Sequence, residues 1–115
     1  MNLKNITSDA LVEKYRNREI AVQEVIEGVF DEIDRIDPDL GAFIHTRKDA
    51  ALEEARVLDQ AIANGQTLSP LAGVPVAIKD NMNIRGIRTT CGSKLLEEYV
   101  PSYTSTAVER LRQAG

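Results

Sequence analysis

The feature that most constrains this sequence is an apolar stripe between residues 22 and 36. Seven apolar side chains recur there at intervals of three or four residues: Val22, Val25, Ile26, Val29, Phe30, Ile33 and Ile36. Because an α-helix turns once in 3.6 residues, this spacing places them on one helical face. The stripe predicts a helix over 21–36 that buries this face in the core, and the pair Asp37-Pro38 is predicted to end it.

Start and stop signals predict three further helices. The first covers 7–16, the next covers 46–64 up to an Asn64-Gly65 stop, and the chain enters a last helix over 104–115. Polar residues that can cap these helices stand near each start. They are Thr7 or Ser8, Thr46 with Asp49, and Thr106 with Glu109.

Two short apolar runs predict strands, one at 42–45 and one at 74–78 that ends at Lys79. The order helix, helix, strand, helix, strand, loop, helix predicts an α/β fold whose helices, including the apolar stripe, pack on a mixed sheet. The last helix should lead to another strand, which these residues do not contain. We therefore expect a single incomplete domain over 1–115, cut in mid-fold, that leaves apolar surface open or contacts other chains.

Charge and composition favour a protein of the cytosol. The net charge is −4 and no run of Lys or Arg occurs, so the charge does not indicate a nucleic-acid-binding surface. No apolar run has the length of a membrane span, and the N-terminus lacks the apolar core of a signal peptide. One cysteine and one histidine argue against a disulfide framework and against a zinc site built from protein ligands alone.

The segment 71–93 is the first place to look for chemistry, because an apolar run delivers one lysine, Lys79, at its end. An ammonium group in apolar surroundings is costly unless it gains a partner or loses its proton. Asp80-Asn81 and the hydroxyls of Thr89, Thr90 and Ser93 follow it, and a polar loop after a buried strand is a common active-site location. The alternative is a solvated lysine whose stem lies on apolar surface, as most lysines do.

Three stretches carry a resemblance to a known family: GVPVAIKDN, GIRTTCGSKLLEEYVPSY and TAVERLRQAG. The chain resembles the amidase signature family over essentially its whole length. Within that family it is most similar to the N-terminal portion of the A subunits of glutamyl-tRNA(Gln) or aspartyl-tRNA(Asn) amidotransferases, a branch that the loop 89–93 favours. The resemblance implies the N-terminal part of the amidase-signature fold. Its expected parts are helices over 7–36, a helix over 46–64, a Lys-bearing strand and loop over 71–100, and the start of a helix over 104–115.

The resemblance also implies a catalytic role for Lys79. The family hydrolyses amides with a Ser-Ser-Lys triad, whose lysine follows the apolar strand. Neutral Lys79 would take a proton, through a bridging serine, from the nucleophilic serine. Both serines are expected beyond Gly115 in glycine- and serine-rich segments, and Ser93 matches neither. The 115 residues by themselves are therefore expected to be inactive.

The same resemblance implies the partners of the whole protein. Glutamine is the expected substrate, and its ammonia passes to a partner among the B and C subunits. Mischarged tRNA is bound mainly by the B subunit, ATP and Mg²⁺ serve the whole reaction, and this chain is expected to bind no cofactor. Two alternatives stay open: another amidase of the family that acts on a small amide, and a non-enzymatic helical module whose stripe docks a partner helix.

Overall fold

The structure is a computed structural model that describes residues 5–115. The described residues form four α-helices, α1 (Ser8–Arg16), α2 (Val22–Leu40), α3 (Lys48–Ala63) and α4 (Thr106–Gln113), and a short 3₁₀ helix at Lys94–Leu96. They group into two compact units: the first reaches Pro75 and includes Gly115, and the second covers Val76–Ala114. Helices α1 to α3 belong to the first unit, and α4 to the second.

The apolar stripe of α2 forms the centre of the first unit's core. Val22, Val25, Ile26 and Phe30 are buried, Ile33 is half-buried, and Ile36 is exposed. The stripe packs with Leu11, Val12 and Tyr15 of α1 and with Ala55 of α3. The prediction of a core face is thus confirmed, but its partners are helices rather than a sheet. Because Val22, Val25, Ile26 and Phe30 already pack in this core, the complete stripe is not available to dock a partner helix, as the interaction-module alternative requires.

A carboxylate from α3 caps the start of α2. The residue before α2 is Ala21, which has no side chain able to cap the helix. Asp59 takes this role: its Oδ1 accepts a hydrogen bond from Val22 N at 2.8 Å and its Oδ2 accepts one from Gln23 N at 3.0 Å. A negative charge is also favourable there because the helix dipole is positive at its N-terminus. The cap therefore fixes α3 against the first turn of α2.

Helix α2 continues through Pro38 to Leu40, so the predicted end at Asp37-Pro38 is wrong. Pro38 lies in the last turn, where its missing N–H removes one hydrogen bond without interrupting a longer helix. Beyond it, Gly41 adopts a left-handed conformation with a φ of 64° and donates to Asp37 O at 2.7 Å. The Asp37 carboxylate accepts from Ala42 N at 2.7 Å. These bonds satisfy the end of the helix that proline weakens.

The predicted caps differ in their outcomes. Thr7 caps α1 as predicted, because its Oγ1 accepts a hydrogen bond from Ala10 N at 3.3 Å. Helix α3 begins after Arg47 and α4 begins after Ser105, and neither start has a side-chain capping bond. The two predicted capping boxes are therefore wrong. Thr46 lies one residue before the N-cap position and Thr106 one residue after it, so neither hydroxyl occupies the place that capping requires.

No strand forms among residues 5–115, so the predicted mixed sheet is not found in the described part of the chain. Residues 42–45 and 74–78 have no strand pairing, and the β-type pairing of the described residues is one isolated antiparallel bridge between Ile84 and Ile87. A strand requires a second backbone that exchanges hydrogen bonds with it, and Pro75 has no N–H to give. An apolar run in the sequence indicates a buried segment but does not supply that partner.

The second unit is a set of loops joined by main-chain hydrogen bonds and followed by α4. Three such bonds connect residues 83–89 with 99–105: Gly86 N to Pro101 O at 3.0 Å, Thr89 N to Tyr99 O at 3.0 Å, and Ser105 N to Asn83 O at 2.8 Å. A tight turn with a left-handed Gly86 (φ 74°) joins Ile84 to Ile87. In residues 5–115 no helix is long and apolar enough to cross a membrane.

Candidate active site

Lys79 is exposed in the second unit. Two of the apolar residues before it are also exposed to solvent: Val76 has 50% of its surface exposed, and Ala77 is exposed as well. The run that was predicted to hide the lysine from water is therefore not a buried strand within the described residues. The main chain at Lys79 is held by a hydrogen bond. Lys79 O accepts from Met82 N at 3.0 Å, and this bond closes a turn directly after the lysine.

Asp80 ties the residue after the lysine to the Thr-Thr-Cys-Gly-Ser loop. Thr90 N lies 3.1 Å from each of the two carboxylate oxygens of Asp80. Thr90 Oγ1 donates a short hydrogen bond to Asp80 Oδ2, and Cys91 N donates to Asp80 O at 2.7 Å. We call these contacts between Asp80 and Thr90-Cys91 the Asp80–Thr90 clamp. Because Thr90 is 6% exposed, the clamp is largely shielded from competing water.

The clamp holds a tight turn at Thr90–Ser93. Ser93 N donates to Thr90 O at 2.8 Å, and the two central residues, Cys91 and Gly92, have φ angles of 51° and 67°. Positive φ at both central positions is the pattern of a type I′ turn. Glycine adopts it at little cost, but cysteine does so rarely. Gly92 N also donates to Thr90 Oγ1 at 3.1 Å, so this hydroxyl both donates to the carboxylate and accepts from the turn.

The other hydroxyls of the segment have local partners. Thr89, which is 3% exposed, donates from its Oγ1 to Ile87 O at 3.3 Å. Ser93 Oγ accepts from Leu95 N at 3.3 Å and caps the 3₁₀ helix. Of the hydroxyls of Thr89, Thr90 and Ser93, only that of Thr90 forms a hydrogen bond with the side chain of Asp80, the residue that follows Lys79. No sequence pattern indicated this pairing, because Asp80 and Thr90 stand ten positions apart in irregular structure.

Known proteins resemble this chain over nearly all of its length. The family model described as amidase matches residues 24–115. The chain is 45% identical over 115 residues to the A subunit of the glutamyl-tRNA(Gln) amidotransferase of Carboxydothermus hydrogenoformans. It is 43% identical over 115 residues to the protein of the same name from Moorella thermoacetica. Each alignment covers 100% of this chain and 24% of the relative, so the chain spans about a quarter of their length.

Solved structures give the same picture. The peptide amidase of Stenotrophomonas maltophilia superposes with a TM-score of 0.88 at 30% identity, covering 97% of this chain and 23% of that one. A bacterial aryl acylamidase described as an amidase signature enzyme superposes with a TM-score of 0.86 at 28% identity, covering 95% of this chain and 23% of that one. The fold of this chain is therefore similar to that of part of two larger proteins named as amidases.

Proposed function

This chain belongs to the amidase family, and we propose that it is the lysine-bearing N-terminal part of the A subunit in a glutamine-hydrolysing amidotransferase. The observation that carries the proposal is the likeness over the full chain to relatives that bear this subunit's name. In the whole protein, the reaction would supply ammonia for the amidation of mischarged Glu-tRNA(Gln) or Asp-tRNA(Asn). The chain itself contributes one member of the proposed Ser-Ser-Lys triad, Lys79.

In this proposal, Lys79 acts as the general base. Its neutral amine accepts a proton from a bridging serine, which in turn takes the proton of the nucleophilic serine. The nucleophilic oxygen attacks the side-chain carbonyl of glutamine, forms an ester with the glutamyl group and releases ammonia after the amide nitrogen is protonated. Water then hydrolyses the ester and gives glutamate. Lys79 is exposed among the described residues, so its amine is accessible to serines from another part of the protein.

The partners that we propose are those that the likeness to amidotransferase A subunits implies. Ammonia passes from the glutamine site to a partner among the B and C subunits, where ATP and Mg²⁺ activate the carboxylate of the mischarged aminoacyl-tRNA. The tRNA would contact mainly the B subunit, and this chain would bind no cofactor of its own. We place the assembly in the cytoplasm.

The test is Lys79→Ala in the complete protein, assembled with its partner subunits and assayed for ammonia release from glutamine. We expect the rate to fall by about 10³-fold or more, because removing one member of a catalytic triad removes most of its contribution. Lys94→Ala is the matched control: it removes another exposed lysine of the same unit and should change the rate less than about twofold. Wild-type activity in Lys79→Ala would contradict the proposal.

A second candidate is an amidase that acts on a small-molecule amide, which the superposition on peptide amidase and aryl acylamidase favours. The same lysine chemistry serves both candidates, so Lys79→Ala does not separate them. The separation comes from the substrate: the complete protein is assayed with glutamine and with simple aliphatic amides, with and without partner subunits. Turnover of aliphatic amides but not of glutamine would favour the second candidate.

A further inference from the structure

We propose that Asp80 and Thr90 are positioning residues for the Lys79 amine, in addition to the triad. This inference rests on the proposed function. The long side chain of lysine has four rotatable bonds, so where its amine can reach depends on how firmly its main chain is held. Among the described residues, the main chain of Lys79 is restrained by the hydrogen bonds of Asp80, the residue directly after it.

The geometry of the clamp explains how this hold arises. The Asp80 carboxylate receives the Thr90 amide and hydroxyl, and the Asp80 carbonyl receives the Cys91 amide. Side chain and main chain of one residue are thus both bonded to the same short loop, so Asp80 cannot rotate without breaking several hydrogen bonds. Because Asp80 is bonded covalently to Lys79, this restraint also fixes the carbonyl side of the lysine.

Thr90 is the centre of this restraint. Its Oγ1 donates to Asp80 and accepts from Gly92 N at 3.1 Å, so a single hydroxyl connects the carboxylate to the turn. Removing it would leave a half-buried carboxylate with fewer donors and would release a turn in which Cys91 has an unfavourable positive φ. We expect the loop to relax and the main chain that carries the Lys79 side chain to lose its fixed position.

The critical experiment compares two neighbouring threonines in the complete enzyme. Thr90→Val removes the hydroxyl of the clamp. Thr89→Val makes the same change at a residue that is also buried, but whose hydroxyl donates to Ile87 O instead. A displaced catalytic group affects the chemical step more than substrate binding. We therefore expect Thr90→Val to lower kcat for ammonia release by about 10- to 100-fold and to leave KM for glutamine within about twofold. Thr89→Val should keep both constants within about twofold.

Two further measurements separate positioning from a general structural role. Thr90→Ser keeps the hydroxyl and removes only the methyl group. Because hydrogen bonds rather than the methyl group form the clamp, its kcat should stay within about threefold of wild type. In a Lys79→Ala background, adding Thr90→Val should lower the residual rate by less than about twofold, because the group it positions is gone. A merely structural role would lower that residual rate as much as it lowers the wild-type rate.

The outcomes are distinct. Equal kcat values in Thr90→Val and Thr89→Val, with Lys79→Ala inactive, would overturn the positioning role and leave the proposed function standing. Unchanged activity in Lys79→Ala would overturn the proposed function itself. If circular dichroism shows that Thr90→Val does not fold, Asp80→Asn replaces it, because the amide keeps the shape of the carboxylate and removes one acceptor. A wild-type kcat in Asp80→Asn would then overturn the inference.

Discussion

The two units of this chain hold their residues in place by different means. Among the residues that the structure describes, the first unit has a core of ten buried apolar residues, contributed by three helices and the segment after them. The second unit buries few side chains, which are Thr89, Thr90, Pro101 and Val108. Its large apolar side chains lie largely at the surface, and Leu95 keeps 95% of its area exposed. Apolar burial therefore dominates in the first unit, and hydrogen bonds between loops dominate in the second.

This difference has a consequence for function. Close packing fixes many atoms at once and tolerates no large change of volume, so the first unit is suited to be a scaffold. A loop held by a few hydrogen bonds can be specified by single residues, as Asp80 and Thr90 do beside Lys79. The candidate catalytic residue stands in the unit where individual polar contacts, rather than a core, set the local geometry.

The largest expected effect tests the contrast directly. Phe30→Ala should lower the free energy of unfolding by about 3–5 kcal/mol, because it removes a buried aromatic ring and leaves a cavity. Leu95→Ala removes an exposed side chain of the second unit and should change that free energy by less than about 0.5 kcal/mol. Urea unfolding of both variants measures the difference. If both variants lost the same free energy of unfolding, Leu95 would have to be buried in the protein, and the contrast between the two units would be wrong.

Two glycines with nearly the same backbone conformation, one in each unit, test the difference in packing between the units. Gly73 and Gly86 have φ angles of 72° and 74°, but a Cβ at Gly73 would lie 2.9 Å from Val22 Cγ1, while one at Gly86 meets no atom within 4 Å. Gly86→Ala should destabilise by about 1–2 kcal/mol through its left-handed backbone alone. Gly73→Ala adds overpacking and should reach about 2–4 kcal/mol. Thermal unfolding of the two variants provides the values, and the same loss in both would argue against close packing around Gly73.

The smallest effect concerns one buried hydroxyl of the first unit. Tyr15 is fully buried, and its hydroxyl donates to Gly73 O at 3.2 Å. Tyr15→Phe removes this bond and should cost about 1 kcal/mol at neutral pH. Tyr103→Phe is the control in the second unit, since Tyr103 is 57% exposed and should change stability by less than about 0.5 kcal/mol. Urea unfolding at pH 7 compares the two.

The same tyrosine predicts a pH dependence in alkaline solution. Burial, with a smaller contribution from the Asp59 charge, raises the pKa of Tyr15 above its ordinary value. The folded protein then keeps a proton that the unfolded chain loses above about pH 10. Stability should be unaffected by this group below that pH and fall above it, by at most about 1.4 kcal/mol per pH unit. Tyr15→Phe should remove this slope between pH 10 and 11, whereas an unchanged slope would exclude Tyr15 as its source.

Much of the first unit could be predicted from the sequence. The stripe of α2 and the Thr7 cap of α1 depend on residues within one helix or one turn, so local spacing is sufficient to identify them. The end of α2 could not be predicted in this way, because it depends on how Gly41 and Asp37 close the last turn after Pro38. The two predicted strands are wrong for a related reason. A strand needs a second strand to exchange hydrogen bonds with, and the residues of one apolar run do not indicate where that second strand lies.

The candidate site shows the same division. The sequence alone indicated Lys79 and the loop that follows it as candidates, because an apolar run, a charged residue and turn-forming residues succeed one another along the chain. The catalytic role of Lys79 stays a prediction. Only the tertiary structure paired Asp80 with Thr90 and brought Asp59 to the start of α2. These contacts join residues that are distant in sequence, and the backbone path between them, rather than any local pattern, decides which donor meets which acceptor.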